Sequence, residues 1–135
     1  MSYAANGADR LGRECVIAFL DANDAHHLRA VAALSAILAN QLVLPASAYA
    51  EILVRPYRQG AQAVAIVEQF IAALAIRVEP ASREIAKRAA EVRSQPPSLR
   101  LPDALVLATG DVLDATEVLT ADTSWPRFSA RARMI

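Results

Sequence analysis

The sequence LRLPDALVLAT, residues 99–109, places one carboxylate at the beginning of an otherwise apolar helix. Pro102 suits the first helical position, because its ring fixes φ near the helical value and its missing N–H is not needed there. Asp103 then falls in the first turn. Residues 104–108 are apolar on every side of a helical wheel, so this helix is predicted to be buried. A carboxylate this close to a core needs a cation, a metal ion or several hydrogen-bond donors nearby. The alternative is that Asp103 only stabilises its helix dipole, by under about 1 kcal/mol.

The composition indicates a folded protein with no overall charge. A chain of 135 residues is long enough for one compact domain and too short for two. Hydrophobic residues make up 55 % of it and charged residues 21 %, which excludes a disordered tail. Fourteen basic residues balance fourteen acidic ones, so any contact with nucleic acid has to come from local patches.

Cysteine content and hydropathy limit the class of protein further. Cys15 is the single cysteine, which excludes an intramolecular disulfide and a cysteine-rich zinc module. Residues 1–15 lack the apolar core of a signal peptide, and no run approaches the roughly 18 apolar residues that span a bilayer. We therefore expect a cytoplasmic protein with no membrane partner.

Strand and helix patterns alternate along the chain. Strands are predicted over 41–44, 75–78 and 117–120, and helices over 24–39, 46–54, 64–74, 82–93 and from Pro102 onward. The short apolar run 16–20 is assigned to a helical turn, because Ala18 and Leu20 favour one. Trp125 and Phe128 are expected to cover the core after the last predicted strand. This order predicts an α/β sandwich with a parallel sheet covered on both faces.

Three acids lie where such a sheet binds ligands, beyond the carboxyl ends of its strands. Glu51 is on the helix after the strand 41–44, Asp103 opens the buried helix, and Asp122 follows the strand 117–120. Three carboxylates in one cleft repel each other unless a divalent cation lies between them, and oxygen ligands suit Mg²⁺ or Mn²⁺. Taken singly, Glu51 is better interpreted as a surface acid and Asp122 as a turn residue; taken together, the three acids favour a shared site.

A magnesium ion held in this way has a defined chemistry. It lowers the pKa of a bound water and neutralises charge that develops on a phosphate, which is the chemistry of phosphodiester hydrolysis. Five basic residues between positions 83 and 100 could line one edge of an RNA path. Most of them are equally well explained as solvent-exposed residues in surface salt bridges. They are Arg83, Lys87, Arg88, Arg93 and Arg100.

Four segments, in order, resemble the successive motifs of PIN domains, and most closely those of VapC toxins of bacterial toxin–antitoxin pairs. They are residues 16–27 (VIAFLDANDAHH), 44–51 (LPASAYAE), 101–105 (LPDAL) and 119–122 (LTAD), the last followed by Trp125 and Phe128. The resemblance covers about residues 16–135. It implies a three-layer α/β/α sandwich around a central, mostly parallel sheet.

The resemblance also implies a function. VapC-type PIN domains are magnesium-dependent endoribonucleases, often homodimeric, and a cognate antitoxin silences them by inserting a segment near the acidic cleft. Carried over to this sequence, Glu51, Asp103 and Asp122 are expected to be the catalytic acids that hold Mg²⁺, or Mn²⁺, with Thr120 supporting Asp122. The expected partners are an RNA substrate, an antitoxin protein and a second copy of the chain.

The beginning of the chain departs from the family pattern. PIN domains open with a hydrophobic strand that ends in an aspartate, about five residues before the position of Ile17, whereas this sequence has Gly12-Arg13-Glu14-Cys15 there. We therefore expect the first strand and its aspartate to be missing, with an atypical segment over 1–15 and a PIN-like domain over 16–135.

Two other functions remain open at this point. The absent aspartate favours a degenerate, catalytically impaired PIN domain that still binds an antitoxin or another protein. A receiver-like phosphoacceptor also gathers acids at strand ends, but it requires a lysine late in the chain. The only lysine is Lys87, inside a polar helix, which argues against a receiver.

Overall fold

The fold is built on a five-stranded parallel sheet. The computed structural model describes residues 15–18, 41–120 and 124–134, and the statements below concern those residues. The strands are β1 (Cys15–Ala18), β2 (Gln41–Pro45), β3 (Arg77–Glu79), β4 (Glu117–Thr120) and β5 (Ala132–Met134). Their order in the sheet is β3-β2-β1-β4-β5, and every neighbouring pair is parallel. The predicted parallel sheet is confirmed.

Four α-helices connect these strands. They are α1 (Ala46–Gln59), α2 (Ala61–Ala73), α3 (Arg83–Arg93) and α4 (Leu101–Val112), and a short 3₁₀ helix covers Trp125–Arg127. The crossover from β2 to β3 steps away from β1, whereas the crossover from β3 to β4 steps back past it. Because such crossovers are right-handed, the pairs α1–α2 and α3–α4 cover opposite faces of the sheet. The result is the predicted three-layer arrangement.

The middle of the sheet corrects two expectations about the beginning of the chain. β1 occupies the central position, with Val16 in register with Leu42 on one side and Glu117 on the other. The prediction of a helical turn is therefore wrong for residues 16–18, and the central strand is not missing. Ala18 favours a helix locally, but such a propensity is easily outweighed by tertiary context, here the hydrogen bonds of two flanking parallel strands.

Helix α1 continues beyond its predicted end. The predicted helix covers 46–54, but the helix runs on to Gln59 with Pro56 buried inside it. A proline removes one backbone hydrogen bond, and burial of its ring against the core offsets part of that cost. The helix ends at Gly60, whose φ of 126° and ψ of 172° belong to a region that side chains rarely adopt. Gly60 thereby permits the abrupt turn into α2.

The core lies between the sheet and the helices, and α4 is its most buried helix. Seven of its residues are buried: Asp103, Ala104, Val106, Leu107, Ala108, Thr109 and Gly110. Leu101, at its start, is an exception and is about half exposed. Trp125 is buried and Phe128 packs against the core, as predicted. Within the described ranges, no helix is long and apolar enough to cross a membrane.

Candidate active site at the carboxyl edge of the sheet

The chain topology brings the starts of two helices to one edge of the sheet. α1 begins directly where β2 ends, at the carboxyl edge of the parallel strands. The end of α4 leads through residues 113–116 into the beginning of β4, so α4 runs against the strands and starts at the same edge. α1 and α4 are also in contact with each other. Ligand sites of open parallel sheets lie at this edge.

Asp103 is the buried carboxylate of this edge. It occupies the first turn of α4, only 8 % of the residue is exposed, and the positive end of the helix dipole favours its charge. Arg100 Nε lies 3.7 Å from Asp103 Oδ2, and the Arg100 side chain is 81 % exposed. An ion pair this long and this open to water contributes little to stability. A ligand at the edge can therefore replace Arg100 at low cost.

Glu51 and Ser47 lie on α1, one helical turn apart. Glu51 is exposed to solvent, unlike Asp103. The Ser47 hydroxyl oxygen is buried, and the described residues offer it no hydrogen-bond partner. A buried hydroxyl without a partner is unfavourable by roughly 1–3 kcal/mol, so it marks a place where a ligand or a bound water would be stabilised. Our sequence interpretation did not single out Ser47, although its position four residues before Glu51, just after a strand, was a usable signal.

The third predicted acid, Asp122, lies outside the described residues. Thr120, its expected support, ends β4 at the carboxyl edge and is fully buried. Asp103 and Glu51 thus belong to helices that start at one edge. Among residues 15–18, 41–120 and 124–134, however, no three histidine, cysteine, aspartate or glutamate residues are close enough to hold a metal ion. The grouping of all three acids stays a prediction.

The donor atoms present fit a hard divalent cation. The carboxylate of Asp103 and the buried hydroxyl of Ser47 both offer oxygen ligands, which Mg²⁺ and Mn²⁺ prefer over nitrogen and sulfur. Mg²⁺ keeps several waters and takes only one or two carboxylates directly, so it does not require an all-protein cage. The edge is chemically suited to such an ion.

A second aspartate of α4, Asp111, lies at the opposite end of the helix and is paired with two arginines of the fold. Asp111 Oδ2 accepts a 2.8 Å hydrogen bond from Arg88 Nε, and Asp111 Oδ1 lies 3.4 Å from Arg131 Nε. The hydrogen bonds to Glu91 and Asp111 raise the pKa of the Arg88 guanidinium above its ordinary value. Asp111 therefore joins α3, α4 and the segment before β5, and it does not belong to the candidate site.

Helix α1 is tied to α2 by one side-chain hydrogen bond. The Tyr49 hydroxyl donates to Glu68 Oε1 over 2.8 Å. This bond to a carboxylate raises the pKa of the Tyr49 hydroxyl, because the bond favours the protonated form. Tyr49 and Glu68 thus join the two helices at a solvent-exposed position.

Comparison with known proteins places this architecture in a family. A family model described as the PIN domain matches residues 13–131. The chain belongs to the PIN domain family. The match begins before β1 and ends just before β5, so it includes both helices that start at the candidate site. Membership in this family removes the support for a receiver-like phosphoacceptor.

Two solved structures share the PIN fold with this chain. One is the crystal structure of VapBC2 from Rickettsia felis bound to a DNA fragment from their promoter, with a TM-score of 0.73 and 13 % identity over 89 % of this chain and 98 % of that chain. The other is a toxin–antitoxin complex from Klebsiella pneumoniae, with a TM-score of 0.62 and 23 % identity over 88 % and 95 %. At identities this low, the structural similarity establishes a shared fold and nothing more. A search of curated proteins finds no significant match.

Proposed function

We propose that this PIN domain is a magnesium-dependent endoribonuclease that acts as the toxin of a toxin–antitoxin pair. The observation that carries the proposal is the buried carboxylate of Asp103 in the first turn of α4, at the carboxyl edge of the sheet. Two solved structures with a similar fold are toxin–antitoxin complexes, which supports an antitoxin as the partner. A homodimer, an RNA substrate and a cytoplasmic location belong to the same proposal.

The proposed reaction is hydrolysis of an RNA phosphodiester bond. Asp103, Glu51 and Asp122 would hold Mg²⁺, with Mn²⁺ as a substitute, and Thr120 would support Asp122. When bound, the ion would neutralise negative charge on the phosphate and lower the pKa of a bound water. Buried Asp103 provides a fixed negative charge, because the packing of α4 restricts its side chain. Exposed Glu51 is accessible to substrate and solvent, and the Ser47 hydroxyl is available as a hydrogen-bond donor one turn earlier.

The decisive experiment is cleavage of a structured RNA by the purified full chain in the presence of Mg²⁺. We expect cleavage by the wild type, and a decrease of about 100-fold or more for Asp103→Asn, since even indirect support of a metal ligand is worth 10–100-fold. Asp111→Asn is the matched control, because it removes the other aspartate of α4, and we expect it to cleave normally. Equal cleavage by wild type and Asp103→Asn, prepared in parallel, would contradict the proposal.

A second candidate function is a PIN domain that binds its partner without cutting RNA. The sequence Gly12-Arg13-Glu14-Cys15 at the place of the family's first aspartate favours this alternative. The first acid after β1 in the sequence is Asp21, which lies outside the described residues, so Asp21→Asn is an informative additional variant. Absence of cleavage by the wild type, together with co-purification of a small partner protein, would support the binding function.

A further inference from the structure

The N-cap residue of α4 departs from two local preferences for the beginning of a helix. Arg100 occupies this position, and its side chain makes no capping hydrogen bond. Arginine has no acceptor atom in its side chain, whereas serine, threonine, aspartate and asparagine do and are preferred there. A cation at the amino-terminal end of a helix is also disfavoured by the helix dipole. Arg100 is therefore a poor residue for starting α4.

Helix α3 shows the regular arrangement in the same protein. Its N-cap is Ser82, whose hydroxyl oxygen accepts a 3.2 Å hydrogen bond from the Ile85 N–H. An acid follows in the first turn of each helix, Glu84 in α3 and Asp103 in α4. The two helices thus differ at the N-cap itself. Departures from such local preferences are expected at functional sites.

The backbone around Arg100 is fixed, although its side chain is open to solvent. Leu99 is buried, and its carbonyl accepts a 3.0 Å hydrogen bond from Arg93 Nε. The Arg100 carbonyl accepts a 3.0 Å hydrogen bond from the Ala104 N–H. The Arg100 side chain, in contrast, is 81 % exposed. The guanidinium can therefore change partners while its backbone stays at the edge of the sheet.

In the structure this guanidinium pairs with Asp103. Arg100 Nε lies 3.7 Å from Asp103 Oδ2, which is too long for a hydrogen bond, so the pair is held by the attraction between its charges. A divalent cation at Asp103 would bring a larger positive charge to the same carboxylate and would repel the guanidinium. Arg100 and a metal ion would therefore compete for Asp103.

Arg83 is a matched arginine at the beginning of the neighbouring helix. It is exposed in the first turn of α3, and none of the ion pairs in the described ranges involves it. Arg88 contacts Asp111 near the end of α4, whereas Arg93 contacts the chain just before its start, so α3 runs antiparallel to α4. The first turn of α3 therefore lies toward the end of α4 that is opposite the candidate site.

We propose that Arg100 is a displaceable counter-ion of the metal site. It pairs with Asp103 in the metal-free protein, and it turns to a phosphate of the RNA when a divalent cation takes its place. The inference rests on the proposed function, which brings both the cation and the phosphodiester to this edge. Two parallel hydrogen bonds from a guanidinium match the oxygens of a phosphate, so Arg100 gains a partner as it loses Asp103. Arg100 is thus a substrate-binding residue of the metal-loaded protein.

The first measurement is calorimetric titration of Mn²⁺ into the metal-free full chain, without RNA. We expect Arg100→Gln to bind Mn²⁺ about threefold more tightly than the wild type, or better, because an exposed ion pair no longer competes. Arg100→Lys keeps the competing charge and should stay within about twofold of the wild type. Arg83→Gln removes the same charge from the first turn of α3, and its affinity should also stay within about twofold.

The second measurement is steady-state cleavage of a single-stranded RNA at saturating Mg²⁺. We expect Arg100→Gln to raise KM by about fivefold or more and to change kcat by less than about twofold, because a phosphate contact holds the bound substrate and the transition state alike. Arg83→Gln should cleave as the wild type does.

Thermal unfolding of the metal-free protein separates this role from a structural one. Arg100→Ser introduces a regular N-cap and removes the cation from the amino-terminal end of α4, so we expect the Tm to rise by roughly 3 °C. The same variant should gain affinity for Mn²⁺ as Arg100→Gln does. An arginine that held the fold together would give a lower Tm instead.

Several results overturn the inference. They are unchanged Mn²⁺ affinity in Arg100→Gln, an equal gain in Arg83→Gln, an unchanged KM in Arg100→Gln, or a lower Tm in Arg100→Ser. The outcomes also separate the two proposals. Tighter Mn²⁺ binding by Arg100→Gln without RNA cleavage by the wild type removes the nuclease and keeps the counter-ion, whereas normal cleavage with unchanged Mn²⁺ binding does the reverse. No Mn²⁺ binding by any of these proteins would overturn both.

Discussion

The two aspartates of α4 have opposite relations to the rest of the protein. Asp111 lies near the carboxyl end of the helix, where the dipole disfavours a negative charge, and Arg88 and Arg131 compensate it at 2.8 Å and 3.4 Å. Asp103 lies at the favourable end, is more deeply buried, and is approached by Arg100 at 3.7 Å through a side chain open to solvent. The chain thus neutralises Asp111 with close internal partners. Arg100, which pairs with Asp103 over the longer distance, is itself open to solvent at the edge where the candidate site lies.

The largest expected effect on stability belongs to Asp111. Asp111→Asn weakens a charge-assisted hydrogen bond to Arg88 and removes the ion pair with Arg131, so we expect the free energy of unfolding to fall by about 1–3 kcal/mol. Asp103→Asn should lower it less than Asp111→Asn does, because the Arg100 pair is long and exposed, and asparagine keeps the shape and one acceptor oxygen of the side chain. Urea denaturation of the two variants measures both values. A larger loss for Asp103→Asn would mean that Asp103 is mainly a structural residue.

A smaller effect is expected from Mg²⁺ on thermal stability. An ion that binds only the folded state at ten times its Kd stabilises the protein by about 1.4 kcal/mol, which raises the Tm by roughly 3–6 °C for a chain of this size. We expect this shift in the wild type and in Asp111→Asn. It should disappear in Asp103→Asn, which calorimetry with and without Mg²⁺ can measure. An equal shift in all three proteins would place the ion elsewhere.

The smallest expected effect concerns Ser47, whose buried hydroxyl finds no hydrogen-bond partner in the part of the chain that the structure describes. Ser47→Ala removes this unsatisfied group, so we expect stability to stay unchanged or to rise by up to about 1 kcal/mol. If the hydroxyl serves the candidate site, cleavage should decrease at the same time, while Ser47→Thr keeps part of it. A clear loss of stability in Ser47→Ala, measured by urea denaturation, would show that the hydroxyl is satisfied in the native state.

Local sequence signals predicted much of the fold. The residues before Pro45 form a short apolar run, residues 117–120 place two apolar residues between polar ones, and Pro102 marks the beginning of α4 within one residue. The four-residue strand β1 was missed, because its pairing with β2 and β4 stabilises a segment whose own preference is ambiguous. The end of α1 was predicted too early, because sequence rules for proline do not take into account that the Pro56 ring is buried in the folded protein.

The candidate site was predictable only in part. The position of Asp103 in the first turn of a helix follows from Pro102 and from the apolar residues after it, and its burial is as expected. The partners of Asp111 were not predictable, because Arg88 and Arg131 are about 20 residues away on either side and meet it only through the packing of α3 and the chain before β5. Local patterns therefore identify the acids better than their surroundings.

Direct titration of Mn²⁺ into the full chain, followed by isothermal calorimetry, tests the central claim about the two aspartates. The account predicts a saturable site in the wild type and in Asp111→Asn that is lost, or weakened at least tenfold, in Asp103→Asn. Binding of Mn²⁺ with unchanged affinity to Asp103→Asn would contradict it.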